Sequence, residues 1–558
     1  MLPLLCYFAI RPCAEIGIAD DWVYIRDAWN VARTGHISYS GGETPMLGWQ
    51  LYLGALFIKL FGFSFTTVRF TTVVEAMATA FLLERIGVRA GLNAWNSFLA
   101  TMIFVLSPLY LPFAFTFMSD VSGVLCIAVC LYMCLRAVEA ESERAAAVWI
   151  SLAALVNAVG GTVRQIDWLG LLVMVPSTLW LLRKQRRVVV AGGLSCAAGL
   201  IFILAALHWL KQQPYIVPVS PLPARIDLAL LKNAGRVVLG GAGVLTVYAL
   251  PVLLLFAGSL RRWRRRVAAA ALAILSIAPI HWLKIDKWPV RVAFNAVTNG
   301  SYARLNGLVA REIHLAATPN SLRIPLTGAV VFGLLCLALC WFKRAGERAA
   351  PRPANAAVCW RKLGLILGPF SAAYLFFVVL AFVIYDRYFL PLLAILLLVL
   401  VRFYQENVRA KLSWACILLM VPCAGFSLAA THDDFALYGG YAAAAQEIRS
   451  SAVPATAILG PQELEGWAEL EKAGHLHYPP NDASRFEQGQ GVPANCDKGL
   501  YFLILLGMTP SIQPAYAVSS NPSECGGQAA FPPVVYRAWI PPRTNAIYAV
   551  RLPRPVAH

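Results

Sequence analysis

Apolar runs of membrane-spanning length recur along this 558-residue chain and leave few folds open to it. They fall at about 67–86, 96–117, 120–138, 148–163, 167–182, 188–210, 236–259, 267–283, 322–342, 363–384, 388–404 and 412–430. A shorter run, Met1–Ile10, is broken by Arg11-Pro12 and lacks a basic leader region. It is too short for a comfortable crossing, so the true start is expected upstream. The chain is 59% hydrophobic and only 14% charged, where about 25% charged is usual in soluble domains. The expected fold is an all-α polytopic membrane protein of about 13 transmembrane helices, residues 1–430, followed by a small mixed α/β domain, residues 431–558.

The net charge of +18 does not point to nucleic acid, because the basic residues cluster between apolar runs. The clusters include Arg183–Arg187, Arg261–Arg266, Lys343-Arg344 and Arg361-Lys362. Such clusters fix the cytoplasmic side and meet anionic headgroups, so membrane lipids are the expected partners. With the clusters at 183–187, 261–266, 343–362 and 402–411 all on the cytoplasmic side, two crossings separate each from the next, which turns 211–235, 284–322, 385–387 and everything after Thr431 to the outer face. Counting back puts Asp120 outside as well. Met46–Phe63 decides the rest: as a crossing it separates Asp20 and Asp21 from Asp120, and as a re-entrant or surface helix it leaves all three on one face. Gln50, Lys59, Gly54 and Gly62 make it a poor span, and the second reading is adopted. The first outer loop is then residues 19–66, with juxtamembrane helices.

From Thr431 the composition turns polar and rich in Pro and Gly. Tyr441–Ser451 reads as helix, and Thr456–Leu459, Leu500–Leu506 and Ile547–Leu552 read as strands. Nine of the thirteen cysteines lie in or beside apolar runs and have no metal-ligand spacing, which suits small buried hydrophobes. Cys496 and Cys525 lie in the polar domain, where an oxidising compartment would allow them to form a disulfide.

Carboxylates at bilayer depth cost about 3 kcal/mol each, so they usually line a cavity or its mouth. In Ile18–Trp29, helical spacing puts Asp20, Tyr24 and Asp27 on one stripe and Trp22, Ile25 and Trp29 on another. Asp120 opens an apolar run, where an N-terminal carboxylate is also favoured by the helix dipole. Grouped on one face, Asp20, Asp21 and Asp120 can accept a proton from a hydroxyl, and Asp20 with Asp120 can hold a divalent ion such as Mg, Mn or Zn. Arg164, Arg387, His281 and Lys284 fall on the same face, where the positive-inside rule predicts few cations. Each suits a snorkelling anchor; the arginine forks also suit phosphate. Carboxylates beside cations at headgroup height point to a lipid-linked phosphate substrate.

The order Asp20-Asp21, then Thr44-Pro45…Tyr52 with Lys59–Gly62, then Ser107-Pro108…Ser119-Asp120, then Arg387-Tyr388…Pro391 resembles the GT-C membrane glycosyltransferases. Protein O-mannosyltransferases and lipid A aminoarabinose transferases are the groups it is most similar to. The resemblance covers 15–140 well and 360–405 less fully. It implies that Asp20 is the catalytic carboxylate, with Asp21 beside it and Asp120 associated with a metal or substrate. It also implies that Arg387 and Tyr388 contact a donor phosphate; Arg164, Tyr24 and Thr44 are the further candidate substrate-binding positions. Where aminoarabinose transferases carry a lysine, this chain has Thr44, which leaves Arg164 and Arg387 as the phosphate contacts. The implied activity is inverting transfer of a sugar from a polyprenyl-phosphate donor to a lipid, glycan or protein acceptor at the outer face of a bacterial inner membrane. The rival class is a membrane transporter or lipid flippase, which would be expected to carry broken or charged helices near mid-bilayer in corresponding halves.

Overall fold

A computed structural model describes residues 1–42, 48–216, 228–260, 268–273, 320–346, 359–380, 385–477, 495–497, 499–540 and 542–553. Among the described residues, eight helices are long and apolar enough to cross a membrane, or nine when a pair bent by 66° at Ala249, Val237–Tyr248 with Leu250–Ser259, counts as one span. Three shorter apolar helices, Trp49–Phe61, Ala94–Val105 and Gln165–Leu181, occupy sites where the sequence suggested further spans or a surface helix. The last of these is broken into 3-10, π and α turns, with Pro176 at the start of its α turn. Most of the run 267–283 lies outside the described residues.

The chain opens with α1 (Leu2–Ile10), then α2 (Asp21–Thr34) and α3 (Trp49–Phe61). At 13 residues α3 is about 20 Å long, too short for a hydrocarbon core of about 30 Å. Its Gly54 is a packing seat: a β-carbon there would lie 2.9 Å from Phe117 and 3.0 Å from Ala28. Its Gln50 is fully buried and donates to the Met118 carbonyl at 3.3 Å. Gln50 and Gly54, two of the residues that make α3 a poor span, therefore dock it against α2 and the start of a later helix.

The spanning helices begin with α4 (Phe65–Arg89), capped by Ser64 Oγ on the Thr67 amide. After the short α5 (Ala94–Val105) come α6 (Ser119–Glu139), α7 (Glu143–Gly160), α8 (Arg186–Lys211), α9 (Leu228–Tyr248), α10 (Asn320–Gly346), α11 (Trp360–Leu380) and α12 (Leu390–Asn407). Helix α13 (Ala415–Ser450) has 36 residues, about 54 Å, so it runs without a break past Thr431 into the C-terminal domain. That domain adds α14 (Gln462–Ala473) and five short strands: β1 (Ile458–Leu459), β2 (Tyr516–Ser519), β3 (Gln528–Ala529), β4 (Val534–Trp539) and β5 (Pro542–Arg551). The sheet order is β1-β2-β5-β3 with β4 also on β5; only β1 and β2 are parallel.

Leu500–Leu506 holds a helical turn, Phe502–Leu505, where the short apolar run read as a strand. Periodicity alone does not separate the two in so short an apolar run. Cys496 and Cys525 are joined by a disulfide next to β2 and β5.

Candidate active site

The site forms where the N-terminus of α2, the N-terminus of α6, the turn before Gln165 and the turn before α12 meet. Asp20 is the N-cap residue of α2, but its carboxylate does not cap the helix. Ala19 before it stands at φ +54°, a left-handed conformation that costs an alanine about 1 kcal/mol. Asp21 holds that turn. It is fully buried, its Oδ1 accepts from the Ile18 amide at 2.8 Å and from Arg69 Nη2 at 3.1 Å, and its Oδ2 accepts from Arg69 Nε at 2.7 Å. The Phe117 amide adds a bond to Oδ2 at 3.3 Å. The remaining donors of Arg69 go to the carbonyls of Ala14 and Ile16 at 2.7 and 2.5 Å. With both oxygens occupied, Asp21 acts on Asp20 through the backbone.

Asp120 lies in the first turn of α6 and is 1% exposed. Arg164 Nη1 donates to its Oδ1 at 2.7 Å, and Arg387 Nε stands 3.7 Å from its Oδ2. Arg387 Nη2 is 4.0 Å from Asp20 Oδ2, so one guanidinium lies between the two carboxylates. Aromatic faces line it: Tyr385 at 4.4 Å, Phe113 at 5.3 Å and Tyr388 at 6.0 Å from the Arg387 guanidinium carbon. Arg164 lies 5.0 Å over Tyr388. The Arg387 Nε is buried without a hydrogen bond among the described residues, an arrangement suited to an anionic ligand.

The structure thus brings together Asp20, Asp120, Arg164, Arg387 and Tyr388, with Asp21 one position behind. Because Asp20 and Asp120 share Arg387, they lie on one face, as expected if α3 does not cross. Tyr24 is buried in the core. Thr44, His281 and Lys284 lie outside the described residues. Further along α2, Asp27 is buried and accepts from Ser40 Oγ at 2.5 Å; burial pushes its carboxyl up to about 7. The space a divalent ion would need between Asp20 and Asp120 is filled by a guanidinium, and Asp120 presents both oxygens to arginines, so this donor set does not fit a metal. Among the described residues, the one three-ligand group with metal-like proximity, Cys496, Glu524 and Cys525, includes the disulfide.

Two participants were not singled out from sequence. Arg69 is an arginine inside the first long apolar run, which is itself a signal. Asp167 is 1% exposed and faces α6 at Gly123, where a β-carbon would lie 2.4 Å from its Oδ2 and 3.0 Å from Arg164 Cδ. Only glycine permits that approach.

Residues 43–210 match the family model described as dolichyl-phosphate-mannose-protein mannosyltransferase. The matched segment contains Asp120 and Arg164; Asp20 and Asp21 precede it and Arg387 follows it. Two solved structures of ArnT from Cupriavidus metallidurans are similar over the chain. The one in the apo state is 14% identical, covers 98% of this chain and 97% of its own, and has a TM-score of 0.39. The one bound to undecaprenyl phosphate is 12% identical, covers 98% and 96%, and has a TM-score of 0.41. No curated protein matches.

Proposed function

We propose that the chain is an inverting membrane glycosyltransferase that moves a sugar from a polyprenyl-phosphate donor to a hydroxyl acceptor at the outer face of a bacterial inner membrane, with the C-terminal domain in the periplasm. The observation that carries this reading is the buried Arg387 guanidinium, held between Asp20 and Asp120 with its Nε unbonded. A phosphate oxygen entering there meets Arg387 and Arg164 together, which stabilises the charge that develops as the C1–O bond to phosphate breaks. The name of the matching family, which specifies dolichyl-phosphate mannose, supports a lipid-phosphate sugar as the substrate class.

Asp20, with a side chain 23% exposed, is the most accessible carboxylate of the group. As general base it takes the proton of the acceptor hydroxyl while that oxygen attacks C1 from the face opposite the phosphate. The new glycosidic bond forms, the C1–O–P link breaks, and the polyprenyl phosphate leaves with the electron pair. Asp120 orients both arginines, and Asp21 fixes the turn that presents Asp20. The counter-charge comes from arginine, and no step passes through a metal ion.

The test uses membrane vesicles from cells lacking the gene, which retain the unmodified acceptor. Vesicles carrying the restored protein, supplied with labelled polyprenyl-phosphate mannose and then with other polyprenyl-phosphate sugars, are expected to form one labelled product that mass analysis identifies. Restored vesicles that label nothing with any such donor would overturn the reading.

A further inference from the structure

The C-terminal domain meets the head of α2 at Trp22. Trp22, one residue after Asp21 and 3% exposed, is wedged between two glycines from distant parts of the chain. A β-carbon on Gly17 would lie 2.5 Å from Trp22 Cβ, and one on Gly466 of α14 would lie 2.1 Å from the far edge of the indole. Neither approach is open to a larger residue unless the ring moves. The same face of α14 grips α2 again one turn on, where Arg26 Nη2 donates to the Leu470 carbonyl at 3.0 Å. Trp467 packs on Phe65 at 4.8 Å and stacks on Phe63 at 5.9 Å. Past the helix end, the Leu476 amide donates to the Ser40 carbonyl at 2.6 Å, and Gly42, at φ +102°, makes room for the Leu476 side chain.

Trp22 and Arg26 put two of these contacts on the first two turns of α2, and the turn at its head is strained at Ala19. The phosphate-facing arginines belong to other elements. We infer that α14 of the C-terminal domain is part of the catalytic apparatus: through Gly466 and Trp22 it sets the position of Asp20, whereas Arg164 and Arg387 are set by the turns before Gln165 and α12. Gly466 and Trp22 are positioning residues and touch no substrate. The inference rests on the reading of Asp20 as the base.

It predicts a split between rate and donor affinity. Gly466→Ala in the full-length chain displaces Trp22 and with it the head of α2. A misplacement of about 1 Å at a reacting group lowers rate by up to about 100-fold. In the vesicle assay, per folded molecule, kcat for transfer from labelled polyprenyl-phosphate mannose is expected to fall by about 10- to 100-fold while KM for the donor stays within about twofold. Trimming the indole restores the space, so Gly466→Ala combined with Trp22→Phe is expected to recover most of the lost kcat. A purely structural contact would lower the amount of folded protein and leave this split and this rescue unseen.

An unchanged kcat in Gly466→Ala, a fall that Trp22→Phe does not relieve, or a rise in donor KM at constant kcat would each overturn the inference. Asp20→Asn in the same assay separates the two readings. If that variant keeps activity while the Gly466 and Trp22 pattern appears, Asp20 is not the base and the coupling of α14 to α2 stands. If Asp20→Asn is inactive and the pattern is missing, only the coupling fails.

Discussion

Asp20 and Asp21 are adjacent in the chain and face opposite ways: Asp21 is bound at 2.7 Å by Arg69 inside the fold, whereas Asp20 faces Arg387 at 4.0 Å, at the mouth of the site. A buried carboxylate with two guanidinium bonds and two amide bonds is a structural group, and its loss leaves Arg69 uncompensated. Asp21→Asn or Arg69→Ala is therefore expected to cost about 3 kcal/mol of stability, read as a lower midpoint in thermal unfolding of the detergent-solubilised protein. If either variant unfolds like the parent, the pair does not hold the turn.

Arg387 and Arg164 share Asp120, and each is assigned to the donor phosphate. Replacing Arg387 with Ala leaves Asp120 half-paired and removes a phosphate contact, with an expected cost of about 2–3 kcal/mol in kcat/KM for the donor. Arg387→Lys keeps the charge but loses the planar fork between the two carboxylates, so it should recover only part of that loss. Full activity in Arg387→Lys would mean that a point charge suffices.

With the Arg387 guanidinium between Asp20 and Asp120, transfer is expected to survive exhaustive chelation. Vesicles treated with excess EDTA and assayed without added divalent ions should keep their rate within about twofold. Loss of activity restored by Mg, Mn or Zn would assign a metal to the site.

Asp27 supplies a pH signature. Its carboxyl ionises near 3.8 when unfolded and near 7 when buried on α2, where Ser40 and Arg26 favour its charged form but do not offset the burial; Tyr39 is the other titratable group it faces. Between those values the unfolded chain sheds a proton that the folded chain keeps. The stabilisation is therefore complete below about pH 4 and is lost as pH rises through about 7. The difference in unfolding midpoint between the parent and Asp27→Asn, followed from pH 5 to pH 8, should change in the direction that favours Asn at high pH. A flat difference would place Asp27 in a solvated setting.

The meeting of Asp20, Asp120 and Arg387 could be read from the chain because basic clusters fix sidedness, and sidedness groups residues far apart in sequence. Reading α3 as a helix that does not cross depended on the same count, and its Gln50 and Gly54 proved to be docking residues. What could not be read is contact. Nothing local marks Gly466 as the seat of Trp22, and Gly123 looks like any helical glycine until Asp167 is placed against it. The broken helices Gln165–Leu181 and Val237–Ser259 read as continuous apolar runs, because hydropathy records composition and does not register a bend. Arg69 did leave a signal, a charge within an apolar run, and the structure shows the partner that explains it.

The central claim is that Asp20 removes the acceptor proton. Its most direct test compares Asp20→Asn with the parent for labelled-sugar transfer from polyprenyl-phosphate donor in vesicles that hold equal amounts of folded protein. Loss of a general base lowers the rate by about 100- to 10,000-fold, and the variant is expected to fall in that range while still binding the donor. Transfer by Asp20→Asn at near the parental rate would contradict the account.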